Sequence, residues 1–257
     1  LCRKRLYQKS ALWRRRFQCE LSTGEVSSDQ LSSALKSDID KYTVEGPNHR
    51  WPCWGEINSE KITQIIKCLY PKSISSTTKD ADQTCDHVFD LLGSGKVQLG
   101  VNIDWKQDFK SGYRWPAKFY TDIVQSPSGK SADVKVPREL SRCHHFVTLG
   151  KAYWYTRNEK YSREFLNQLT DWIAGNPPRM SINWCSTMDV AIRLVNWIWA
   201  YQFFTRSSQL DDEKRIVFLK SVLSHAQFVV ENLEYYGELS DNHYASNVVA
   251  LLIAGTV

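Results

Sequence analysis

The sequence predicts a mainly α fold: an incomplete (α/α) toroid of antiparallel helix pairs, truncated before its end. Three observations lead there. From Pro137 onward, apolar residues recur at helical spacing in successive segments joined by short polar connectors. These segments alternate between amphipathic and wholly apolar, as inner and outer helices of stacked antiparallel pairs would. No strict internal repeat is present, which favours a closed or nearly closed ring over an open solenoid. Two regions are expected: 1–79, a basic helix followed by an irregular connector, and 80–257, the partial toroid.

Residues 1–17 are basic and amphipathic, with Leu6, Tyr7, Leu12, Trp13 and Phe17 set among Arg3, Lys4, Arg5, Arg14, Arg15 and Arg16. A helix packing its apolar side on the domain fits better than a membrane-surface helix. Residues 18–60 are rich in Ser and turn formers. Ile62, Ile65, Ile66 and Leu69 then mark a helix over 60–69 that Pro71 ends, and Cys85, Val88, Phe89 and Leu92 mark another over 81–92 that Gly93 stops. The stretch 94–134 reads as loops with one short strand pair.

Pro137 suits the first turn of a helix whose face runs through Leu140, Cys143, Val147 and Trp154. Asn158 caps the next, striped by Tyr161, Phe165, Leu169 and Trp172 and closed by Gly175-Asn176-Pro177-Pro178. Ser186 to Asp189 resembles a capping box that opens an apolar helix to Phe204. Asp211 starts the following helix, with Ile216, Leu219, Leu223 and Phe228 inward. A last helix begins near Asn242, and the sequence stops within its apolar run. The chain is therefore expected to be the N-terminal portion of a longer protein.

Composition is that of a globular domain, with 42% hydrophobic and 24% charged residues. Ten Trp and twelve Tyr exceed what a core alone demands and suit a carbohydrate cleft as well as helix packing. The net charge of +5 is compatible with a polyanion partner, but the chain beyond residue 17 is nearly balanced, so nucleic acid is not expected. No apolar run reaches the roughly 18 residues of a membrane span. Seven cysteines, widely spaced, form neither a disulfide scaffold nor a metal motif, and free, mostly buried thiols follow. No metal or cofactor is called for, because His144-His145 lacks further ligands and glycine-rich phosphate loops are absent.

Candidate chemistry collects at helix starts. Asn242 and His243 open the last helix, where unpaired N–H groups and the macrodipole favour an anion. An Asn amide beside an imidazole can bond a carboxylate and offset charge developing next to it. The same residues also fit a plain cap, with Asp241 or Asn242 as N-cap and His243 on the surface. Arg138, Glu139 and Arg142 lie together, and Arg142 has the fork to grip an anionic sugar. Arg193, deep in the apolar helix, is expected to pair with Asp189 at i,i+4. Asn183 and Trp184 follow a Pro-Pro turn, with Trp184 either a sugar platform or core. Asn247 lies one turn beyond His243 and, with Arg138, Glu139, Arg142, Asn183 and Trp184, is a candidate substrate-binding residue. Asp104, Asp108, Asp122, Glu139 and Asp189 are the carboxylates that a glycoside hydrolase would draw on.

An ordered series of motifs runs through 80–257: Phe89-Asp90-Leu91-Leu92-Gly93, Ile103-Asp104-Trp105, Arg114-Trp115, Asp133 to Arg142, Asp171-Trp172-Ile173, Asn176-Pro177-Pro178, Asn183-Trp184, Met188 to Arg193 and Asn242-His243-Tyr244. This series resembles the heparinase II/III-like family, specifically its N-terminal heparin-sulfate lyase domain. The resemblance implies an (α/α) toroid followed by an antiparallel β-sandwich, and β-elimination of uronic-acid polysaccharides. It gives Asn242 the carboxylate-neutralising role with His243 its neighbour, and expects a Tyr base or acid and a further His beyond Val257. The sequence departs from the family at Pro137-Arg138-Glu139, where a Trp is expected after the Pro.

The expected partner is an acidic polysaccharide, heparan-sulfate-like or related. Two other readings stand beside the lyase: a glycan-binding or polysaccharide-assembly protein on the same toroid, and a toroidal glycoside hydrolase. The resemblance points to a bacterial periplasm or envelope, the free cysteines to a reducing compartment.

Overall fold

The computed structural model describes residues 59–237, 241–255 and 257. The basic segment 1–17 and the connector up to residue 58 lie outside the described residues. Helices α1 (Ser59–Leu69) and α2 (Pro71–Cys85) lead into a small antiparallel pair, β1 (Val88–Asp90) and β2 (Lys96–Gln98). After an irregular stretch come α3 (Lys135–Ser141), α4 (His144–Thr156), α5 (Glu159–Gly175), α6 (Thr187–Phe204), α7 (Asp212–Glu231) and α8 (Asn242–Ala254). Short 3₁₀ turns occupy Tyr120–Asp122 and Ile182–Trp184.

The N-terminal elements differ from expectation in two places. Pro71 opens α2 rather than merely closing α1, because its missing N–H is an orphan at the first helical position anyway. The helix expected over 81–92 ends at Cys85. His87 and Leu92 take left-handed backbone (φ 53 and 52), and the apolar residues Val88 and Phe89 belong to a strand that pairs with 96–98. The strand pair thus sits at 88–98, earlier than the sequence suggested. Residues 79 and 80, the expected division, lie inside α2, which packs on α4 and α5.

One helix expected from Pro137 onward is two. Cys143 (φ 56, ψ 37) breaks it with a single left-handed residue, its side chain fully buried. That conformation costs about 1–2 kcal/mol outside glycine and is held by the surrounding packing. The later helices start where their caps require. Asn158 accepts from the Lys160 amide, Ser186 from Asp189 and Asp211 from Lys214. The α5 stripe of Tyr161, Phe165, Leu169 and Trp172 is buried as its spacing demands. On α7 the inward face is Phe218, Val222, His225, Phe228 and Val229, while Leu223, expected inside, is 52% exposed. The buried face is thus rotated from the expected one and includes a histidine.

The helices form two layers. α2, α4, α6 and α8 are successive neighbours in one; α5 lies against α4 and α2, and α7 against α6 and α8. The two-residue joint between α4 and α5 makes them antiparallel neighbours. α6, covered from both sides, supplies the centre of the core, as a helix apolar all round must. Edge-to-face and stacked rings fill it: Phe146 on Phe165 at 5.1 Å, Phe165 on Phe204 at 4.7 Å and Trp172 on Trp197 at 5.1 Å. α4 and α6 approach closely at Gly150, where a Cβ would lie 2.5 Å from the Phe203 ring.

Candidate functional site

The first turn of α8 meets the first turn of α6. Asp241 caps α8, its Oδ1 accepting from the His243 amide at 2.9 Å, so the side chain of Asn242 is not consumed by capping. Asn242 is exposed, and its Nδ2 lies 3.8 Å from the Met188 sulfur on α6. The helix N-terminus adds a partial positive charge at this point. His243 points its Nδ1 at Glu234 Oε1, 3.0 Å away in the connector between α7 and α8.

Beside Met188, Asp189 holds the end of α3. Arg142 donates from Nε to Asp189 Oδ1 and from Nη1 to Glu139 Oε2, both at 2.7 Å. Arg138 donates to Gln125 Oε1 at 2.7 Å, and its Nε lies 3.8 Å from the second oxygen of Asp189. The Asn196 amide bonds the Arg142 carbonyl at 2.8 Å. Two guanidiniums and two carboxylates balance here. Arg142, expected to grip a sugar, spends two faces of its fork on protein carboxylates, so the cluster mainly fixes α3 to α6. Burial pushes the neighbouring Cys185 thiol up to about 12, out of the nucleophilic range.

Arg193 is not paired with Asp189, contrary to the i,i+4 expectation. Asp189 is taken by Arg142 and Arg138, whereas Arg193 turns into the core. It donates from Nε to His225 Nε2 at 3.0 Å and from Nη2 to the Asn183 carbonyl at 3.3 Å. Its guanidinium lies 4.2 Å over Trp172 and 5.4 Å from Trp184. The Ser221 carbonyl, 2.7 Å from His225 Nδ1, can only accept, which fixes the neutral tautomer with Nε2 free to receive Arg193. Burial foremost, then the Arg193 charge, pushes the His225 pKa well down.

Three residues expected to touch a sugar are interior. Trp184 is 1% exposed, bonded to the Asn176 carbonyl and packed 4.6 Å from His225 and 5.2 Å from Phe228. It is a core residue, packed among Trp172, His225 and Phe228. Asn183, also 1% exposed, donates to the Trp105 carbonyl at 2.7 Å and to Asn176 Oδ1 at 2.9 Å. Asn247 is fully buried, its Oδ1 accepting from the Glu234 amide at 2.9 Å. The structure places Asn242 against Met188, and Arg138, Glu139 and Arg142 around Asp189, both at the start of α6; His243 sits on Glu234, and Asn183, Trp184 and Asn247 lie beneath the surface. Glu234 was missed by sequence reasoning: it sits in a connector with no periodic signal, and only the fold returns it to His243.

With the geometry in hand, the profile of the Heparinase II/III N-terminus family matches residues 56–257. The chain belongs to that family. A heparin-sulfate lyase of Bacteroides thetaiotaomicron is 29% identical over 133 residues, 51% of this chain and 18% of the relative. One of Bacteroides stercoris is 29% identical over 149 residues, 57% and 17% of the respective chains. The chain spans less than a fifth of the length of these relatives. Among solved structures, heparinase III with methylated lysines superposes with a TM-score of 0.61 at 20% identity, covering 94% of this chain and 34% of the other. Heparan sulfate lyase HepC from Pedobacter heparinus gives 0.56 at 19%, covering 96% and 34%. The likeness shows the fold, an incomplete (α/α) toroid.

This heparinase II/III N-terminus domain also has a cleft of about 740 Å³ between the β1–β2 hairpin and α5, lined in part by Asp86, His87, Glu164 and Asp171. His87 sets Nδ1 2.7 Å from the Gly100 carbonyl and Nε2 2.8 Å from Glu164. The Glu164 bond, opposed by burial, raises its pKa. Three carboxylates make this cleft a poor receptor for a polyanion.

Proposed function

We propose that the chain is the N-terminal part of a polysaccharide lyase that cleaves uronic-acid-containing acidic polysaccharide, heparan-sulfate-like or related, by β-elimination. The observation that carries this reading is the exposed Asn242 amide on the first turn of α8, beside His243 and clear of the helix cap. Family membership supports it, as do the heparin-sulfate lyases among its relatives.

The chemistry needs such a group. The proton on C5 of a uronate is too weakly acidic to leave at neutral pH unless the charge spreading onto the adjacent carboxylate is stabilised. Asn242 donates its Nδ2–H to that carboxylate, and the helix N-terminus adds a field of the same sign. As the proton departs to a base, the C4–O bond breaks, the leaving oxygen takes up a proton and a C4=C5 double bond remains. Asn242 and His243 belong to the charge-stabilising half of this reaction. The resemblance assigns proton transfer to a Tyr and a His later in the sequence.

The test uses the full-length protein on a panel of acidic polysaccharides. Unsaturated uronate ends absorbing in the near ultraviolet are expected, and Asn242→Ala should remove about 99% of turnover, the size expected for losing one such donor. Full turnover by that variant would overturn the role of Asn242. Reducing ends without unsaturation would identify a glycoside hydrolase instead, and binding without cleavage a glycan-binding protein.

A further inference from the structure

We propose that Glu234 is a positioning residue that fixes the tautomer and direction of His243; the inference rests on the lyase reading of the site. α7 closes at Glu231, and Asn232 caps it by donating to the Phe228 carbonyl at 2.8 Å. Two residues later Glu234 is held at both ends. Its amide donates to Asn247 Oδ1 at 2.9 Å, and its carboxylate divides between His243 Nδ1 at 3.0 Å and Asn247 Nδ2 at 3.4 Å. His243 and Asn247 are four apart on α8 and share a face, so one carboxylate spans two successive helix turns. The Glu234 side chain is only 17% exposed and Asn247 is fully buried, which leaves this carboxylate little freedom to rotate.

A carboxylate facing both groups can only accept. Nδ1 of His243 must then carry a hydrogen, and Nε2 is the nitrogen left for other partners. In the neutral ring Nε2 is an acceptor; in the imidazolium it is a donor. The neutral Nε2–H form is excluded while Glu234 is in place. Carboxylates orient catalytic and metal-bound imidazoles in this way, and their loss typically costs 10–100-fold in activity. Asn247, expected to touch substrate, acts one layer further back by fixing Glu234 to α8.

The experiment uses the full-length protein with ¹⁵N-labelled histidine, the His243 signals assigned by their loss in His243→Gln. The Nδ1–H tautomer is expected in the native protein and a shift to Nε2–H in Glu234→Ala. That variant should lower kcat about tenfold with a smaller change in KM, and Glu234→Gln, which keeps an acceptor oxygen, should restore most of it. A packing role alone would lower the melting temperature without moving the tautomer or splitting kcat from KM. A native Nε2–H tautomer overturns the proposal without recourse to any variant, as does unchanged kcat in folded Glu234→Ala. Absence of unsaturated product from the native protein overturns the lyase reading and with it the catalytic role of Glu234; the tautomer then still decides whether Glu234 orients His243.

Discussion

Arg193 donates to the neutral imidazole of His225 at 3.0 Å, within a cage formed by Trp172, Trp184 and Trp197. A fully buried guanidinium here has an imidazole, a carbonyl and aromatic faces for partners in place of a carboxylate. Burial brings its pKa down to about 10, so it is still charged at neutral pH. Arg193→Ala would leave His225 Nε2 and the Asn183 carbonyl short of a donor and open a cavity, costing about 3–5 kcal/mol. Arg193→Lys should restore little, because an ammonium lacks the flat, fixed fork that reaches both acceptors while stacking on an indole. Denaturant midpoints measure both; a Lys variant of native stability would contradict the account.

Acid should destabilise the fold through two histidines, the buried His225 and the half-buried His145. Burial lowers His145 to about 3 and His225 well below its ordinary value. The unfolded chain binds protons at both near pH 6.5, the folded protein only at much lower pH. Their contribution is complete above about 6.5 and is lost as pH falls below it, by up to about 1.4 kcal/mol per pH unit for each group. His87 has the opposite sign: Glu164 raises its pKa, so its contribution is present below about 6.5 and lost as pH rises through the folded value. Urea unfolding at about pH 7.5 and about pH 5 should show a net loss on the acid side. Equal stability at the two would refute the neutral state of both rings in the folded protein.

Gly150 should not tolerate a methyl group. Alanine is the better helix former by about 1 kcal/mol, yet a Cβ would fall 2.5, 2.7 and 2.8 Å from three atoms of Phe203. Gly150→Ala is expected to cost about 2 kcal/mol net through overpacking between α4 and α6. Combining it with Phe203→Leu should recover part of the loss, and additive effects of the two changes would show that they do not meet.

Asp108 organises the irregular segment. It is 1% exposed; Oδ1 accepts from the Lys110 amide at 2.9 Å, and Oδ2 from the Ser111 hydroxyl at 2.6 Å and the Asp133 amide at 3.0 Å. Burial alone would raise its pKa, but these bonds together outweigh burial and lower it. Its contribution is therefore present above the unfolded value near 3.8 and lost as pH falls through the folded one. Asp108→Ala should cost about 1–3 kcal/mol by stranding several donors. Thermal unfolding checks it, and a change within about 0.5 kcal/mol would refute the role.

The sequence made the α5, α6 and α7 boundaries readable because Asn158, Ser186 and Asp211 are local signals: each cap bonds an amide two or three residues away. It also placed Asn242 at a helix start. What it hid depends on contacts far apart in the chain. The spacing of Cys85, Val88, Phe89 and Leu92 fits a helix, and only pairing with 96–98 makes part of it a strand. Cys143 carries no local mark of a left-handed break. Asp189 and Arg193 have ideal helical spacing, yet Arg142, 47 residues before Asp189, takes the carboxylate. Trp184 was open between core and platform, and its neighbours on α5 and α7 decide it.

Asn183 ties the Trp105 carbonyl to Asn176, and Lys106 Nζ donates to the Gly175 carbonyl at 2.8 Å. The segment around Trp105 has almost no regular structure, yet it is fastened to the end of α5 by bonds that this helix terminus itself requires. Such a segment has no independent way to open. Its protected amides should exchange with solvent only when the surrounding helices unfold, giving an irregular loop the protection of the protein's interior.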